Sequence, residues 1–247
     1  MDILNYGLLF VAGGSAGLVD AIAGGGGLIT VPALLWAGLP APLALGTNKF
    51  QAACGTSVAV WNYARAGLVR WRQVQGVALI TFGAAIVGAL AVTRIDATIL
   101  RQIIPWLLLA VTVYVLFSPR FGSQSGPARW SPVVFAWLGG GSLGFYDGFF
   151  GPGTGSFWTL AFVGLQGVEL RNATARTKVV NLASNVASVA VFLLVRQVRF
   201  DVGLVMIAGQ LVGAYAGSHL VITRGVGFIR AIFLAVVVAL TLRLFWP

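Results

Sequence analysis

Residues 14–34 read G-S-A-G-L-V-D-A-I-A-G-G-G-G-L-I-T-V-P-A-L, placing Asp20 and four consecutive glycines, Gly24 to Gly27, inside an apolar run that extends from 5 to 38. As one helix that run would be near 50 Å long at about 1.5 Å per residue, against a hydrocarbon core of about 30 Å. Something must break it, and the glycines are the obvious place. The break leaves a first segment at 5–23 and a second, 27–38, that is too short to span. Residues 141–157, G-S-L-G-F-Y-D-G-F-F-G-P-G-T-G-S-F, repeat the arrangement: Asp147 precedes Gly151, Gly153 and Gly155, which divide 132–150 from a short 154–166.

The likeness extends outward. The two stretches align at an offset of 127, which becomes 129 further on and holds for sixty residues. It pairs Ala44 with Ala173, Lys49 with Lys178, Val69-Arg70 with Val198-Arg199, Gly88 with Gly217 and Arg101 with Arg230. Apolar sequences often look alike by chance, but rare charges at a fixed offset do not recur that way. The chain therefore divides into a repeat over 1–118, a linker at 119–131 holding Ser123, Gly126 and Pro127, and a second repeat over 132–247. The remaining long apolar segments are 44–65, 72–93, 98–118, 173–195, 201–222 and 226–246. The fold expected is an all-α integral membrane protein of about eight long transmembrane helices and two short half-helices.

Composition agrees. Of 247 residues, 58% are hydrophobic and 9% charged, against about 25% charged in a soluble domain. The net charge of +10 comes from scattered Lys and Arg, without the dense patch that nucleic acid requires; short basic loops meeting lipid headgroups account for it. Cys54 is the one cysteine, which excludes an intrachain disulfide and a cysteine metal cluster. Met1-Asp2-Ile3 lacks the basic region of a cleaved signal peptide, so the first segment is expected to be retained. Trp61, Trp71, Trp106, Trp130 and Trp246 fall near segment ends, as interfacial anchors do; Trp36 and Trp158 sit in the short segments, where core packing explains them.

Whether the repeats are parallel or inverted turns on the short segments. If these cross, each repeat has five passes and the two are inverted; if they are re-entrant, the expectation is four passes and parallel repeats. Sorting the 16 Lys and Arg by side favours the inverted arrangement with both termini outside. Inverted repeats with interrupted helices are a recurring transporter plan, with the site near the bilayer midplane.

The chemistry concentrates at a few positions. Asp20 and Asp147 are carboxyls deep in apolar segments, suited either to carrying a coupling proton or to pinning the glycine turn by accepting its N–H groups. Gly24, Gly25, Gly26 and Gly27, with Gly151 and Gly153, precede half-helices whose free N–H groups attract anions. Thr47-Asn48-Lys49 and Arg176-Thr177-Lys178 open the following helices, with Gln51, Asn181 and Asn185 behind them. Thr177, Asn181 and Asn185 share one helical face. Lys49 and Lys178 would balance an anion's charge, the alternative being buried pairs with Asp20 and Asp147. Gly13 to Gly17 and Gly140 to Gly144 fit G-x-S-x-G, which makes a serine hydrolase on Ser15 or Ser142 the rival class. A single histidine, His219, cannot serve two serines, and small residues four apart are better read as close helix packing, as at Gly209, Gly213 and Gly217. A membrane scaffold that offers those glycine faces to partner helices is the other rival.

At these residues the chain resembles the TauE/SafE sulfite exporter family, also called TSUP, and within it the YfcA-type branch. The resemblance rests on G-L-V-D-A-I-A-G-G-G-G-L-I-T-V-P-A-L (17–34), A-L-G-T-N-K-F-Q-A (44–52), G-F-Y-D-G-F-F-G-P-G-T-G-S-F (144–157) and A-R-T-K-V-V-N-L-A-S-N (175–185). It implies a bacterial inner-membrane transporter with duplicated halves, moving sulfite, organosulfonates or other small organic anions, commonly outward. The family's motif positions fall here on Asp20, Gly24 to Gly27, Asn48, Lys49, Asp147, Gly151, Lys178 and Asn181. The expected partners are a small anionic substrate and membrane lipid, with no nucleic acid, cofactor or metal; a homodimer stays open. Alternating access around Gly24 to Gly27, Asn48, Lys49, Gly151, Gly153, Thr177, Lys178 and Asn181, with a coupling proton on Asp20 or Asp147, is the working expectation.

Overall fold

A computed structural model describes residues 3–117 and 126–224, with helices and no strand among them. The broken first segment forms α1 (Ile3–Ala23) and α2 (Gly27–Trp36), followed by α3 (Ala41–Arg65), α4 (Trp71–Val92) and α5 (Ala97–Phe117). After the linker come α6 (Pro132–Val134), a π-helical turn (Phe135–Gly139) and α7 (Gly140–Phe149), which run on as one rod. Then follow α8 (Thr154–Gln166), α9 (Leu170–Leu194) and α10 (Phe200–Arg224). The segment expected at 226–246, with Arg230 and Trp246, lies outside the described residues, as do Met1, Asp2 and most of the 119–131 linker, including Ser123.

Five described helices, α1, α4, α5, α9 and α10, are long and apolar enough to cross a membrane. That is fewer than the eight expected, for identifiable reasons. The 25-residue α3 is long enough but is diluted by Thr47, Asn48, Lys49 and Gln51. The 132–149 rod is interrupted by its π-turn, and the last segment is undescribed. Large apolar side chains such as Leu79, Trp137, Leu204 and Val212 stand exposed on the bundle's outside, as side chains that meet lipid do. Trp61 and Trp71 are likewise exposed at segment ends, whereas Trp36, expected in the core, is half exposed.

The glycines set how closely helices approach. A Cβ on Gly213 would lie 1.9 Å from the Gly14 carbonyl oxygen, and one on Gly17 2.5 Å from that of Gln210. α1 and α10 therefore meet backbone to backbone. The stripe of Gly209, Gly213 and Gly217, which a scaffold would offer to partner helices, is used up inside the chain. Along this seam Gly13 faces Met206, Gly17 faces Gln210 and Leu18 faces Gly217, so α1 and α10 run in the same direction. Gly140 facing Ile80 and Gly148 facing Ala85 make α7 parallel to α4. Contacts of Thr47 with Arg199, Gly55 with Gln210 and Asn62 with Ser218 make α3 parallel to α10.

Both short helices turn back. Gly26 sits against Ala16 and Asp20, while Leu34 and Leu39 pack with Leu9 near the start of α1. In the same way Phe157 meets Tyr146 (ring centroids 5.5 Å) and Phe162 meets Phe135 (5.1 Å). The α1–α2 hairpin thus begins and ends at one end of the bundle, leaving three traverses, α3 to α5, before the second hairpin.

Candidate functional site

The last turn of α1 carries Asp20 to the bend. Its Oδ1 accepts hydrogen bonds from the amides of Gly25 (3.1 Å) and Gly26 (3.3 Å), and its Oδ2 accepts one from Lys178 Nζ at 2.9 Å. Gly24 at φ +70° and Gly25 at φ +133° hold backbone values that side chains disfavour. Gly24 also leaves no room for a side chain, since a Cβ there would lie 2.4 Å from Gly155. The two glycine bends therefore touch each other, and Ser156 Oγ locks them by donating to the carbonyls of Ala23 (3.1 Å) and Gly24 (2.8 Å).

The second aspartate is held in a matching way. Asp147 Oδ1 accepts from Lys49 Nζ at 2.5 Å, and its Oδ2 accepts from the Ser184 hydroxyl. Lys49 also donates to Asn185 Oδ1 at 3.3 Å. Each lysine is thus paired with the aspartate from the other end of the sequence: Lys49 with Asp147, Lys178 with Asp20. Both lysines are buried, and an isolated ammonium there would be prohibitive, so each pair must neutralise its members.

Between the pairs lies a cavity of about 30 Å³, lined by Asp20, Gly25 to Gly27, Asn48, Lys49, Gln51, Ala52, Asp147, Gly151, Gly153 to Gly155, Asn181, Asn185 and Gln210. That is room for about one or two waters. Asn48 Oδ1 accepts from Thr30 Oγ1 (2.5 Å) and Gln51 Nε2 (3.0 Å). Three buried amide oxygens on this lining, Gln51 Oε1, Asn181 Oδ1 and Gln210 Oε1, have no partner among the described residues. Orphaned amides at a cavity call for water or ligand, and a half-turn of Asn181 or Gln210 would present N–H donors there instead.

Most of the expected site residues converge here. Three do not line the cavity: Gly24 is sealed against Gly155, Thr177 faces Thr159 (3.2 Å between hydroxyl oxygens), and Lys178 stands behind Asp20. The amides of Gly25 and Gly26, expected to await an anion, are occupied by Asp20. Sequence reasoning missed Gln210, Ser184, Thr154 and Thr30. Gln210 was hidden beside a glycine stripe read as packing alone, although a lone amide in an apolar helix is itself a signal. Of the serines proposed for hydrolysis, Ser142 spends its hydroxyl on the Leu138 carbonyl (2.5 Å), while His219 stacks on Tyr215.

A family model described as Sulfite exporter TauE/SafE matches residues 9–244. The chain belongs to the TauE/SafE family. It is 45% identical over 223 residues to a "Probable membrane transporter protein" of Haemophilus influenzae, covering 90% of this chain and 88% of that one. It is 43% identical over 236 residues to the "Probable membrane transporter protein ORF9" of a Sinorhizobium species, covering 96% and 90%. It is 40% identical over 243 residues to the "Probable membrane transporter protein YfcA" of Escherichia coli K12, covering 98% and 90%. No solved structure matches the chain. These TauE/SafE relatives are membrane transporters by name, and this chain is a membrane transporter of that family, not an enzyme.

Proposed function

We propose that the chain is a secondary transporter that exports a small sulfur-containing or organic oxyanion by alternating access of two inverted halves, with protons carried by Asp20 and Asp147. The observation that carries this reading is the reciprocal pairing of Lys49 with Asp147 and Lys178 with Asp20, around a polar cavity where two broken helices meet.

Electroneutrality gives the mechanism. Two lysines and two aspartates sum to zero, so a bare anion entering this low-dielectric site would carry an uncompensated charge. Protonating an aspartate releases its lysine to the anion and restores the balance. Asn48, Asn181 and Gln210 then orient the substrate with rotated amides, and freed Gly25 and Gly26 amides become available to it once Asp20 lets go.

The inversion of the halves is supported by helix direction. α1, α3 and α10 run one way, and α4 and α7, which are parallel to each other, run the other way. Among the described residues, Arg65, Arg70, Arg72, Arg129, Arg171, Arg176 and Arg224 gather at the end where α3 finishes, against Arg94, Arg101, Arg196 and Arg199 at the other. By the positive-inside rule this charge difference supports a cytoplasmic first end and a periplasmic amino terminus in an inner membrane.

The test is flux in proteoliposomes under an imposed pH gradient, with sulfite and organosulfonates as substrates. Lys49→Ala or Lys178→Ala should abolish flux in protein that still folds. Full flux through the double variant would remove the lysines from the mechanism.

A further inference from the structure

At the end of the bundle where α3 finishes, a cleft of about 620 Å³ opens between the first turns of α4 and α9 and the end of α8. One wall is basic. Arg70 and Arg72 flank the start of α4, and Arg176 stands two turns into α9; among the described residues none has a carboxylate within ion-pair reach. Glu169 lines the same cleft but is engaged by the Arg171 amide (3.3 Å) and the Asn172 side chain (2.8 Å). Arg176 is held in place by Gln73, and its buried Nε has no partner among the described residues.

The facing wall is apolar. Pro132, Ala136 and Val168 form its surface, backed by Phe135 and Phe162, which are buried; Trp158 stacks against Phe162 with ring centroids 5.6 Å apart. Trp158 is one helical turn from Thr154 and Gly155, which line the central cavity.

The other end of α3 provides an internal comparison. The offset of 129 places Arg199 and Asp201 where Arg70 and Arg72 stand. There Arg199 pairs with Asp201 through two bonds of 2.7 and 3.0 Å, and the Tyr6 hydroxyl adds a third at 3.0 Å. One mouth is neutralised and the other keeps its positive charge.

We propose that this cleft is a capture site for a small organic oxyanion, a sulfonate or carboxylate with a short apolar tail. Guanidinium forks match the planar or tetrahedral oxygens of such a head group. The apolar wall of Pro132, Ala136 and Val168 takes the tail, which an inorganic anion would leave uncovered. The cleft's volume is that of a small-molecule site. The proposal takes its place on an export path from the transporter reading, but the binding itself does not depend on it. A lipid phosphate would offer the same head-group chemistry, and the two lipid mixtures below distinguish the sources.

The experiment is calorimetric titration of full-length protein in nanodiscs, of zwitterionic lipid alone and with anionic lipid added. The ligands are methane-, propane- and pentanesulfonate, with inorganic sulfate for comparison. Affinity should rise about two- to fourfold per methylene, sulfate should bind weakest, and both lipid mixtures should give the same values. Arg70→Gln with Arg72→Gln, both exposed positions, should weaken binding about tenfold or more. Arg94→Gln with Arg101→Gln, at the opposite end, should not weaken it. Sulfate binding as tightly as pentanesulfonate, an unaffected Arg70/Arg72 variant, or binding abolished by anionic lipid would each overturn the proposal. Tail-dependent binding in protein that shows no flux would uphold this site and remove the transport reading.

Discussion

Replacing Lys49 with Met strands the Asp147 carboxylate, whose side chain is 5% exposed and whose one cation lies at 2.5 Å. Removing one partner of a buried pair costs about 3–5 kcal/mol. Asp147 keeps the Ser184 hydroxyl, which places the expected loss near the lower figure. For a chain of this length about 3 kcal/mol corresponds to roughly 6–12 °C in melting temperature. Asp147→Asn should lose a similar amount by stranding Lys49, which retains Asn185 at 3.3 Å. The double variant, Lys49→Met with Asp147→Asn, strands nothing: Met follows the lysine stem and Asn still accepts from Ser184. It should recover most of the loss. Tryptophan fluorescence during thermal unfolding reads this out. In proteoliposomes the double variant should be folded yet inactive. Single variants melting within a degree or two of the parent, or a double variant melting below both, would refute the coupling. A double variant with parental flux would reduce the pair to scaffolding.

The glycine bends give a steric prediction. Gly24→Ala forces a Cβ to 2.4 Å from Gly155 at φ +70° and should lower both melting temperature and flux, whereas Gly83→Ala, with nothing within 4 Å, should be neutral or stabilising by up to about 1 kcal/mol. Gly213→Leu, aimed at the Gly14 carbonyl oxygen, should destabilise the isolated protein; an unchanged melting curve would mean that this face serves an outside partner. Asp201→Asn breaks a pair whose side chains are 49% and 43% exposed, so its effect on melting should not exceed about 1 kcal/mol.

What could be read from the sequence follows from how local each signal is. The ends of α4, α5, α8 and α9 fall within about three residues of expectation because hydropathy and turn residues are properties of neighbours. The breaks at Gly24 and Gly151 were legible for the same reason, and so was the acceptance of glycine amides by Asp20, a contact only five residues long. The Asp–Lys pairs were legible as alternatives but not as partners. An offset makes Lys49 equivalent to Lys178, yet which aspartate each reaches depends on α3 and α9 packing together. Whether 27–38 crosses or returns could not be read, because ten apolar residues fit either course and tertiary contacts of Leu34 and Leu39 decide it. The basic cleft joins Arg70 and Arg176 across more than a hundred positions, which no local pattern records.

The crossing of the two pairs also constrains coupling in the proposed cycle. Each lysine is neutralised by an aspartate from the other half, so the halves cannot rearrange around the site without parting both pairs. Parting a buried pair with nothing to replace it costs several kcal/mol, which keeps the empty protein contracted around its cavity of about 30 Å³. The barrier falls when protons occupy the aspartates and an anion takes the lysines, and the site remains neutral only if protons equal the anion's negative charges. The carrier should therefore be electroneutral whatever the valence of its substrate. With potassium and valinomycin clamping the membrane potential, the accumulation ratio should be the same at 0 and −100 mV. One uncompensated charge would shift it by about 2.3 kcal/mol, close to fiftyfold. A ratio that follows the potential would show that protons and anion do not balance, and the reciprocal pairs would then be struts in the fold, taking no part in coupling.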